Sequence, residues 1–289
     1  MKELRLRALA KINLGLDVLK KREDGYHEVR MIMQTVNIYD KINLSKNSSG
    51  QIHVSTNLQY LPTNENNLVY KAAKLLKDEF LIDAGVDISL KKYIPVAAGM
   101  AGGSSDAAAV LYGMNRMFQL GLSLEQLKER GVKIGADVPY CLMRGTALAE
   151  GIGEKLTPIH PCPVCYVLIA KPPVNVSTKF VYDNLHANDL KDHPDIDGLI
   201  EAIKEQDLKK VASRMGNVLE TVTIPAYPVI DDIKQLMIAK GALGAMMSGS
   251  GPTVFGLFDN LIDAKNAYYH MKKSRLANQV YLTDIYNTK

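Results

Sequence analysis

A glycine-rich segment that leads into an alanine-rich stretch holds the residues best suited to bind a phosphate group. The segment, which we call the phosphate loop, consists of Pro95, Val96, Ala97, Ala98, Gly99, Met100, Ala101, Gly102, Gly103, Ser104 and Ser105. Small residues let a ligand approach the backbone, and a helix start offers unpaired N–H groups and the positive end of a dipole. These properties predict an anion site, although a plain turn with Ser104 or Ser105 as helix N-cap fits the same residues.

Lysine and aspartate side chains that could serve phosphate chemistry lie elsewhere in the chain. Residues 10–18 alternate between apolar and polar types, as in a strand, which puts Lys11 and Asn13 on one face. A lysine there could neutralise phosphate charge, but a lysine on an edge strand is by default exposed to solvent. Asp137 precedes a Val-Pro pair and could act as a general base or as a helix N-cap. The residue types alone leave these roles open.

Strand and helix patterns are interspersed along the chain and predict an α+β protein. In the first half, strands are predicted at 10–18, 29–38, 41–44, 51–55, 86–90 and 145–149, and helices at 67–80, 104–118 and 124–130. In the second half, strands are predicted at 166–170, 245–247, 253–258 and 279–286, and helices at 199–215, 229–240 and 262–274. Without its extra helices, the second half reads as a β-α-β-β-α-β layer. A proline-rich stretch at 158–163 separates the predicted domains, 1–160 and 161–289.

Composition and charge argue against several classes of protein. The chain has 289 residues, 47% of them hydrophobic, and a formal net charge of +4 that is spread along the sequence. A nucleic-acid binder would need a dense basic stripe, and no apolar run approaches the ~20 residues of a membrane span. Cys162 and Cys165 form a lone Cys-x-x-Cys without the further ligands that structural zinc requires. The odd number of cysteines predicts a reducing, cytoplasmic location.

Three motifs in a fixed order resemble the signatures of the GHMP small-molecule kinases. They are residues 10–16 (AKINLGL), 95–106 (PVAAGMAGGSSD) and 248–255 (SGSGPTVF), and the resemblance covers essentially the whole chain. Residues 24–28 (DGYHE) and 135–139 (GADVP) resemble the branch of that family whose substrate is CDP-methylerythritol. The resemblance implies an N-terminal domain like the second domain of ribosomal protein S5, which carries the ATP phosphate loop, and a C-terminal ferredoxin-like domain. Ala97 and Ala101 depart from the pattern, because many relatives have glycine there.

The same resemblance implies the catalytic and cofactor-binding residues. ATP and Mg²⁺ would be the cofactors, and the phosphate loop would hold the phosphates. Asp137 would be the catalytic base and Lys11 its partner. Residues 248–252 would brace the phosphate loop, although a plain turn between strands fits them almost as well. No pattern indicates the metal ligands or the oligomeric state.

The resemblance also implies how the substrate is bound. Asn13 would contact the substrate, and Tyr26 and His27 would hold its cytosine ring by stacking and hydrogen bonds. Thr178 and Tyr182 match the branch more loosely, with Tyr182 closing over the base. We therefore expect the small-molecule substrate CDP-methylerythritol, and neither nucleic acid nor membrane as a partner.

Two other functions stay open at this point. The nearest is another GHMP kinase that acts on homoserine, mevalonate or a sugar, but such acceptors have no use for Tyr26 and His27. The other is a non-catalytic nucleotide-binding regulator of the same fold. The presence of both Lys11 and Asp137 argues against that second alternative.

Overall fold

The computed structural model describes residues 2–288, which divide into two compact units. The first unit consists of the residues up to Ala10, Ile38–Val96 and Ala101–Met143. The second consists of Lys11–Asn37, Ala97–Met100 and the residues from Arg144 onward. The phosphate loop therefore contributes residues to both units. The division of the sequence into domains 1–160 and 161–289 stays a prediction.

Strands and helices are interspersed along the chain, which confirms the α+β class. The strands are β1 (Glu3–Lys21), β2 (His27–Asn47), β3 (Ile52–Thr56), β4 (Gly85–Lys91), β5 (Thr146–Gly151), β6 (Lys155–Pro158), β7 (Tyr166–Lys171), β8 (Gly216–Asn217), β9 (Gly244–Met247), β10 (Val254–Phe258) and β11 (Gln279–Asp284). The helices are α1 (Leu68–Glu79), α2 (Gly102–Phe118), α3 (Leu124–Val132), α4 (Val138–Met143), α5 (Thr178–Asp183), α6 (Ile196–Lys204), α7 (Leu208–Arg214), α8 (Glu220–Ala226), α9 (Val229–Ala239) and α10 (Leu261–Ser274).

In the first unit, β4 lies between β3 and the second half of β2. It pairs parallel with β3, and antiparallel with residues 41–47 of β2. Helix α2 lies directly against β1 and β2, because a Cβ on Gly113 would be 2.4 Å from Leu44 and 2.7 Å from Leu6. Only glycine permits this approach. This close contact fixes α2, the helix that follows the phosphate loop, against the sheet.

In the second unit, four described strands form an antiparallel sheet in the order β11-β7-β10-β9. Along the chain these are the fourth, first, third and second strands of a β-α-β-β-α-β layer. Helices α9 and α10 pack on the sheet, while α5 to α8 are inserted between β7 and α9. This arrangement confirms the predicted ferredoxin-like layer. The first half of β2 pairs with β5, and β1 pairs with β8, also within this unit.

Several element boundaries differ from the predicted ones. Strand β2 runs without interruption through the segments predicted as separate strands at 29–38 and 41–44. The predicted helix at 199–215 consists of α6 and α7, which are separated at Gln206, where the backbone is left-handed with φ 58°. Ser123, followed three residues later by Gln126, is the sequence signature of a capping box, and this capping box is present at the start of α3.

Candidate active site

The backbone of the phosphate loop enters the left-handed region at alternate residues. The φ angles are 50° at Ala97, 70° at Gly99 and 54° at Ala101. Such a backbone costs a residue with a Cβ roughly 1–2 kcal/mol, so glycine is the favoured residue at all three positions. The two alanines that depart from the family pattern are therefore strained, and the surrounding structure has to hold them in place.

Residues 248–252, which we call the third motif, brace the phosphate loop. Ser248 Oγ donates a hydrogen bond to the Gly99 carbonyl at 2.9 Å. A Cβ on Gly99 would lie 2.1 Å from the Ser248 carbonyl oxygen, and one on Gly249 would lie 3.3 Å from the Gly99 carbonyl oxygen. The backbones of the phosphate loop and the third motif lie so close together that no room is left for a side chain between them. The predicted bracing role is confirmed.

Helix α2 begins at Gly102, directly after the left-handed Ala101. Among residues 2–288, no side chain caps this helix start, so its first N–H groups lack a side-chain acceptor. Ser105 donates its hydroxyl to the Leu9 carbonyl at 2.7 Å and its N–H to the Ala101 carbonyl at 2.9 Å. Because both donors are used, Ser105 anchors α2 to β1. The predicted phosphate contacts of Ser104 and Ser105 stay a prediction.

Lys11 and Asn13 lie side by side on a buried stretch of β1. Lys11 Nζ donates to Asn13 Oδ1 at 2.7 Å, and the Lys11 N–H donates to the Met100 carbonyl at 3.2 Å. Lys11 is 5% exposed and Asn13 0%, so the alternative of a solvent-exposed lysine is wrong. Helix α6 covers the same strand, because a Cβ on Gly15 would lie 2.8 and 2.9 Å from two of its side chains. A buried lysine beside the phosphate loop can stabilise negative charge far better than an exposed one.

Asp137 occupies the N-cap position of α4. Its carbonyl accepts the N–H of Cys141 at 3.1 Å, and the helix begins at the next residue. The residue is half-buried. The helix bond uses the main chain of Asp137, so the N-cap position and a base role for the carboxylate are compatible. The predicted partnership of Asp137 with Lys11 stays a prediction.

Two of the predicted cytidine-binding residues are in ring contact. The centroids of the His27 and Tyr182 rings lie 4.9 Å apart, with the rings tilted by 40°. Burial, followed by the nearby charge of Lys21, lowers the pKa of His27 below its usual range. The imidazole is therefore neutral near pH 7 and has one donor and one acceptor nitrogen. That pattern suits the hydrogen-bonding edge of a pyrimidine.

Tyr26 and Thr178, which were also predicted to bind the substrate, lie in different surroundings. Tyr26 follows a turn that the Arg22 N–H closes by donating to the Tyr26 carbonyl at 2.8 Å. The residue is 60% exposed, so its ring is open to a ligand. Thr178 begins α5, and its Oγ1 lies 2.9 Å from Ser250 Oγ. The structure thus joins Thr178 to the third motif.

A buried asparagine that sequence reasoning missed holds the third motif. Asn217 Nδ2 donates to the carbonyls of Met247 and Gly249 at 2.9 and 2.8 Å, and its Oδ1 accepts the N–H of Leu219 at 3.0 Å. Through Gly249, this side chain also supports the backbone that packs on Gly99. A single asparagine after a glycine carries no sequence signal for such a role. Only the folded chain shows that Asn217 lies against the glycine-rich third motif.

The polar segment between α5 and α6 contacts β1, and the first turn of α6 contacts β2. His193 Nδ1 lies 2.8 Å from Asp17 Oδ1, and Arg30 donates two hydrogen bonds to Asp197 at 2.9 and 2.5 Å. Asp17 lies on the same face of β1 as Lys11 and is itself 5% exposed. These contacts hold the segment and the start of α6 against the two strands.

The described residues indicate neither a reactive cysteine nor a membrane-spanning helix. Cys162 and Cys165 are free and buried, and burial raises the pKa of the Cys165 thiol to about 12. Such a thiol is a poor nucleophile because its thiolate form is disfavoured. Within residues 2–288, no group of three or more His, Cys, Asp or Glu side chains is placed to hold a metal ion. No helix in that range is long and apolar enough to cross a bilayer.

Two family profiles match the parts of the chain that carry the site. The profile described as "GHMP kinases N terminal domain" matches residues 67–145, which include the phosphate loop and Asp137. The profile described as "GHMP kinases C terminal" matches residues 199–277, which include the third motif. Fold and site together define a small-molecule kinase, and the chain belongs to the GHMP kinase family.

Full-length relatives narrow the likeness to one kind of kinase. The chain is 60% identical to a protein from Lachnospira eligens named 4-diphosphocytidyl-2-C-methyl-D-erythritol kinase, over 99% of both chains. It is 58% identical to a protein of that name from Lachnoclostridium phytofermentans, over 98% of both chains. A crystal structure of 4-(cytidine 5'-diphospho)-2C-methyl-D-erythritol kinase is similar with a TM-score of 0.85 and 30% identity, covering 99% of this chain and 100% of that one. The resemblance predicted from the motifs is confirmed.

Proposed function

We propose that the chain transfers the γ-phosphoryl group of ATP to the 2-hydroxyl group of 4-diphosphocytidyl-2-C-methyl-D-erythritol (CDP-methylerythritol). This reaction belongs to the non-mevalonate route to isoprenoid precursors. The observation that carries the proposal is the 60% identity, over 99% of both chains, to a kinase of this name. The braced phosphate loop, the buried Lys11 and the neutral His27 are in line with it.

In this proposal the ATP phosphates bind at the phosphate loop and the start of α2. The first N–H groups of a helix and the positive end of its dipole attract anions. The contact between Ser248 and Gly99 fixes the loop backbone before ATP arrives. Binding then requires less ordering of the protein, which favours affinity.

Mg²⁺ would bind together with the triphosphate. This ion usually keeps several waters and binds largely through the substrate phosphates, rather than in an all-protein cage. Ser104 places a hydroxyl in the first turn of α2, and a Ser or Thr hydroxyl beside the phosphates is a magnesium ligand in P-loop enzymes. We assign Ser104 as the candidate side-chain ligand. When bound, the ion neutralises charge on the phosphates.

The phosphoryl transfer requires a proton acceptor and charge stabilisation. The 2-hydroxyl oxygen forms a bond to the γ-phosphorus while the bond from that phosphorus to the bridging oxygen breaks, and ADP leaves. Asp137 takes the proton of the attacking hydroxyl. The ammonium of Lys11 stabilises negative charge on the transferring group. Asn13 Oδ1, 2.7 Å from Lys11 Nζ, holds that ammonium in one orientation.

The cytidine part of the substrate would determine specificity. The neutral His27 can hydrogen-bond the cytosine edge as donor and acceptor. The exposed ring of Tyr26 is available for stacking, and Tyr182, whose ring contacts that of His27, would close over the base. Such stacking contributes about 1–3 kcal/mol per base. Thr178 lies beside the third motif and would contact the rest of the substrate.

A direct test is to offer the purified protein ATP, Mg²⁺ and one acceptor at a time. We expect phosphorus NMR to show a new phosphate ester on the 2-oxygen of CDP-methylerythritol, with one ADP released per product. Homoserine and mevalonate serve as matched acceptors from other GHMP kinases. Preferential phosphorylation of either would contradict the proposal, as would ADP release without any phosphorylated acceptor. We also propose a cytoplasmic location, which the free cysteines favour because such thiols persist in reducing compartments.

A further inference from the structure

Three ionisable side chains form a buried cluster in the first unit, next to the phosphate loop. The side chains of Lys92, Asp40 and Asp106 are only 4%, 0% and 3% exposed. Lys92 Nζ donates to Asp106 Oδ2 at 2.6 Å and to Asp40 Oδ2 as well. Lys92 follows β4, Asp40 lies in β2 and Asp106 lies in α2. One ammonium thus connects a strand to the residues on either side of the phosphate loop.

The residues before the phosphate loop are held by side chains at every backbone N–H from Lys92 to Ile94. Asp40 Oδ1 accepts the N–H of Tyr93 and that of Ile94, the latter at 2.8 Å. Asn57 Oδ1 accepts the N–H of Lys92 at 2.7 Å, and Asn57 Nδ2 donates to the Lys92 carbonyl at 3.2 Å. Strand β4 ends at Lys91, and in the next three residues side-chain hydrogen bonds replace the backbone hydrogen bonds of the sheet. This stretch therefore has a defined position although it is not part of a sheet.

The residues after the phosphate loop pack on the same cluster. A Cβ on Gly102, the first residue of α2, would lie 3.1 Å from Ile94 Cγ2 and 3.2 Å from Lys92 Nζ. Asp106 lies one turn further along the helix and accepts from Lys92. Residues on both sides of the phosphate loop therefore contact the Lys92 side chain or belong to the same stretch as Lys92.

The cluster of Asp40, Lys92 and Asp106 is not optimised for the stability of the protein. Burial raises the pKa of Asp106 well above its usual range, and the Asp40 carboxylate adds to this while Lys92 opposes it. Burial lowers the pKa of Lys92, but the two carboxylates outweigh burial and raise it overall. Asp106 Oδ1 is buried without a hydrogen-bond partner among the described residues. Buried ion clusters often stabilise a protein no better than apolar residues of the same shape, and an unpaired oxygen is a further cost.

An arrangement that costs stability but fixes geometry is expected where geometry serves function. We propose that Asp40, Lys92 and Asp106 are positioning residues, which hold the two ends of the phosphate loop at the spacing required to bind the phosphates of ATP. This inference rests on the proposed use of ATP, and it does not depend on which alcohol is phosphorylated.

The test replaces the ammonium with an apolar side chain of similar length, in the variant Lys92→Met. Calorimetry measures the Kd for ADP, and initial rates give the KM for ATP and for CDP-methylerythritol. A second variant, Lys92→Met with Asp106→Asn, leaves Asp40 as the only charge in the cluster, with its two backbone donors retained. It keeps the test possible if the single variant does not fold. The matched control is Leu127→Ala, which removes buried apolar contacts of α3 in the same unit.

We expect the Lys92 variants to lower kcat/KM for ATP by about 10- to 100-fold, because a displacement of about 1 Å at a binding segment has effects of this size. The Kd for ADP should rise in parallel, while the KM for the acceptor stays unchanged. Leu127→Ala should lower the Tm without weakening ADP binding. An unchanged Kd for ADP in a folded Lys92 variant would overturn the proposal, and so would an equal rise in Leu127→Ala. Failure of the wild type to phosphorylate CDP-methylerythritol would refute the proposed function and leave the ADP measurement intact.

Discussion

Replacing Gly99 by alanine would place a methyl group on top of the third motif. The new Cβ would lie 2.1 Å from the Ser248 carbonyl oxygen and 3.0 Å from its carbon, and the backbone at Gly99 is left-handed with φ 70°. The left-handed backbone alone costs alanine about 1–2 kcal/mol. Forcing the two segments apart adds about 1–3 kcal/mol, and loss of the Ser248 Oγ hydrogen bond adds about 0.5–1.5 kcal/mol. We therefore expect the free energy of unfolding to fall by about 2.5–6.5 kcal/mol.

Gly121→Ala is the matched control for this substitution. Gly121 has nearly the same backbone angle, φ 72°, but nothing lies within 4 Å of the position of its Cβ. Urea denaturation should therefore show a loss of only about 1–2 kcal/mol in Gly121→Ala. Gly99→Ala, assayed at a temperature where it is folded, should also lose about 100-fold in kcat/KM for ATP, because the loop has to shift by about 1 Å. Equal losses of stability in the two variants, or normal ATP kinetics in Gly99→Ala, would refute the bracing of the loop by the third motif.

Four further outcomes follow from the site. Asp137→Asn should reduce kcat by about 10²–10⁴ with ADP binding retained, and near-normal turnover would remove Asp137 from its role as base. Tyr26→Ala should raise the KM for CDP-methylerythritol by about 5- to 150-fold, the equivalent of 1–3 kcal/mol of stacking. The KM for ATP should not change, and equal effects on both would exclude stacking on Tyr26. Ala97→Gly and Ala101→Gly should each raise the free energy of unfolding by about 0.5–1 kcal/mol, because glycine relieves the left-handed strain. Urea denaturation measures this increase, and no increase would contradict the strain at these two residues. The lowered pKa of His27 keeps its ring neutral until the solution becomes acidic. Acceptor affinity should thus be constant above about pH 6.5 and fall only as the pH drops through the lowered pKa, whereas a decline that begins above that pH would contradict a neutral His27.

Much of the fold could be predicted because its signals are local. Strict alternation identified part of β1, and the capping box identified the start of α3. Several unpredicted elements lack such signals: α5 is only six residues long, β8 only two, and α8 contains Pro225. The break between α6 and α7 falls at Gln206, whose left-handed backbone is usual for glycine or asparagine and not for glutamine. At Gln206, tertiary contacts impose a backbone conformation that glutamine by itself disfavours.

Site residues that belong to sequence motifs could be predicted, whereas contacts between residues far apart in the sequence could not. Alternation placed Lys11 and Asn13 on one face of β1, but nothing in the sequence shows that α6, far along the chain, covers this strand. The same holds for Asp40, Lys92 and Asp106, which lie in three separate elements and meet only in the folded unit. The sequence marks Ala97 and Ala101 as departures from the family pattern, and only the left-handed φ angles show that both residues are strained.

The central claim is that the chain is a kinase whose acceptor must carry cytidine, and one comparison of acceptors tests it most directly. The measurement is kcat/KM, at saturating ATP and Mg²⁺, for CDP-methylerythritol and for 2-C-methyl-D-erythritol 4-phosphate, which has the same 2-hydroxyl but no nucleotide. We predict that the cytidine-bearing acceptor is phosphorylated efficiently and the truncated one at least about 100-fold less so, since binding energy of the remote group is used to reach the transition state. Equal efficiency with both acceptors, or activity with neither, would contradict the account.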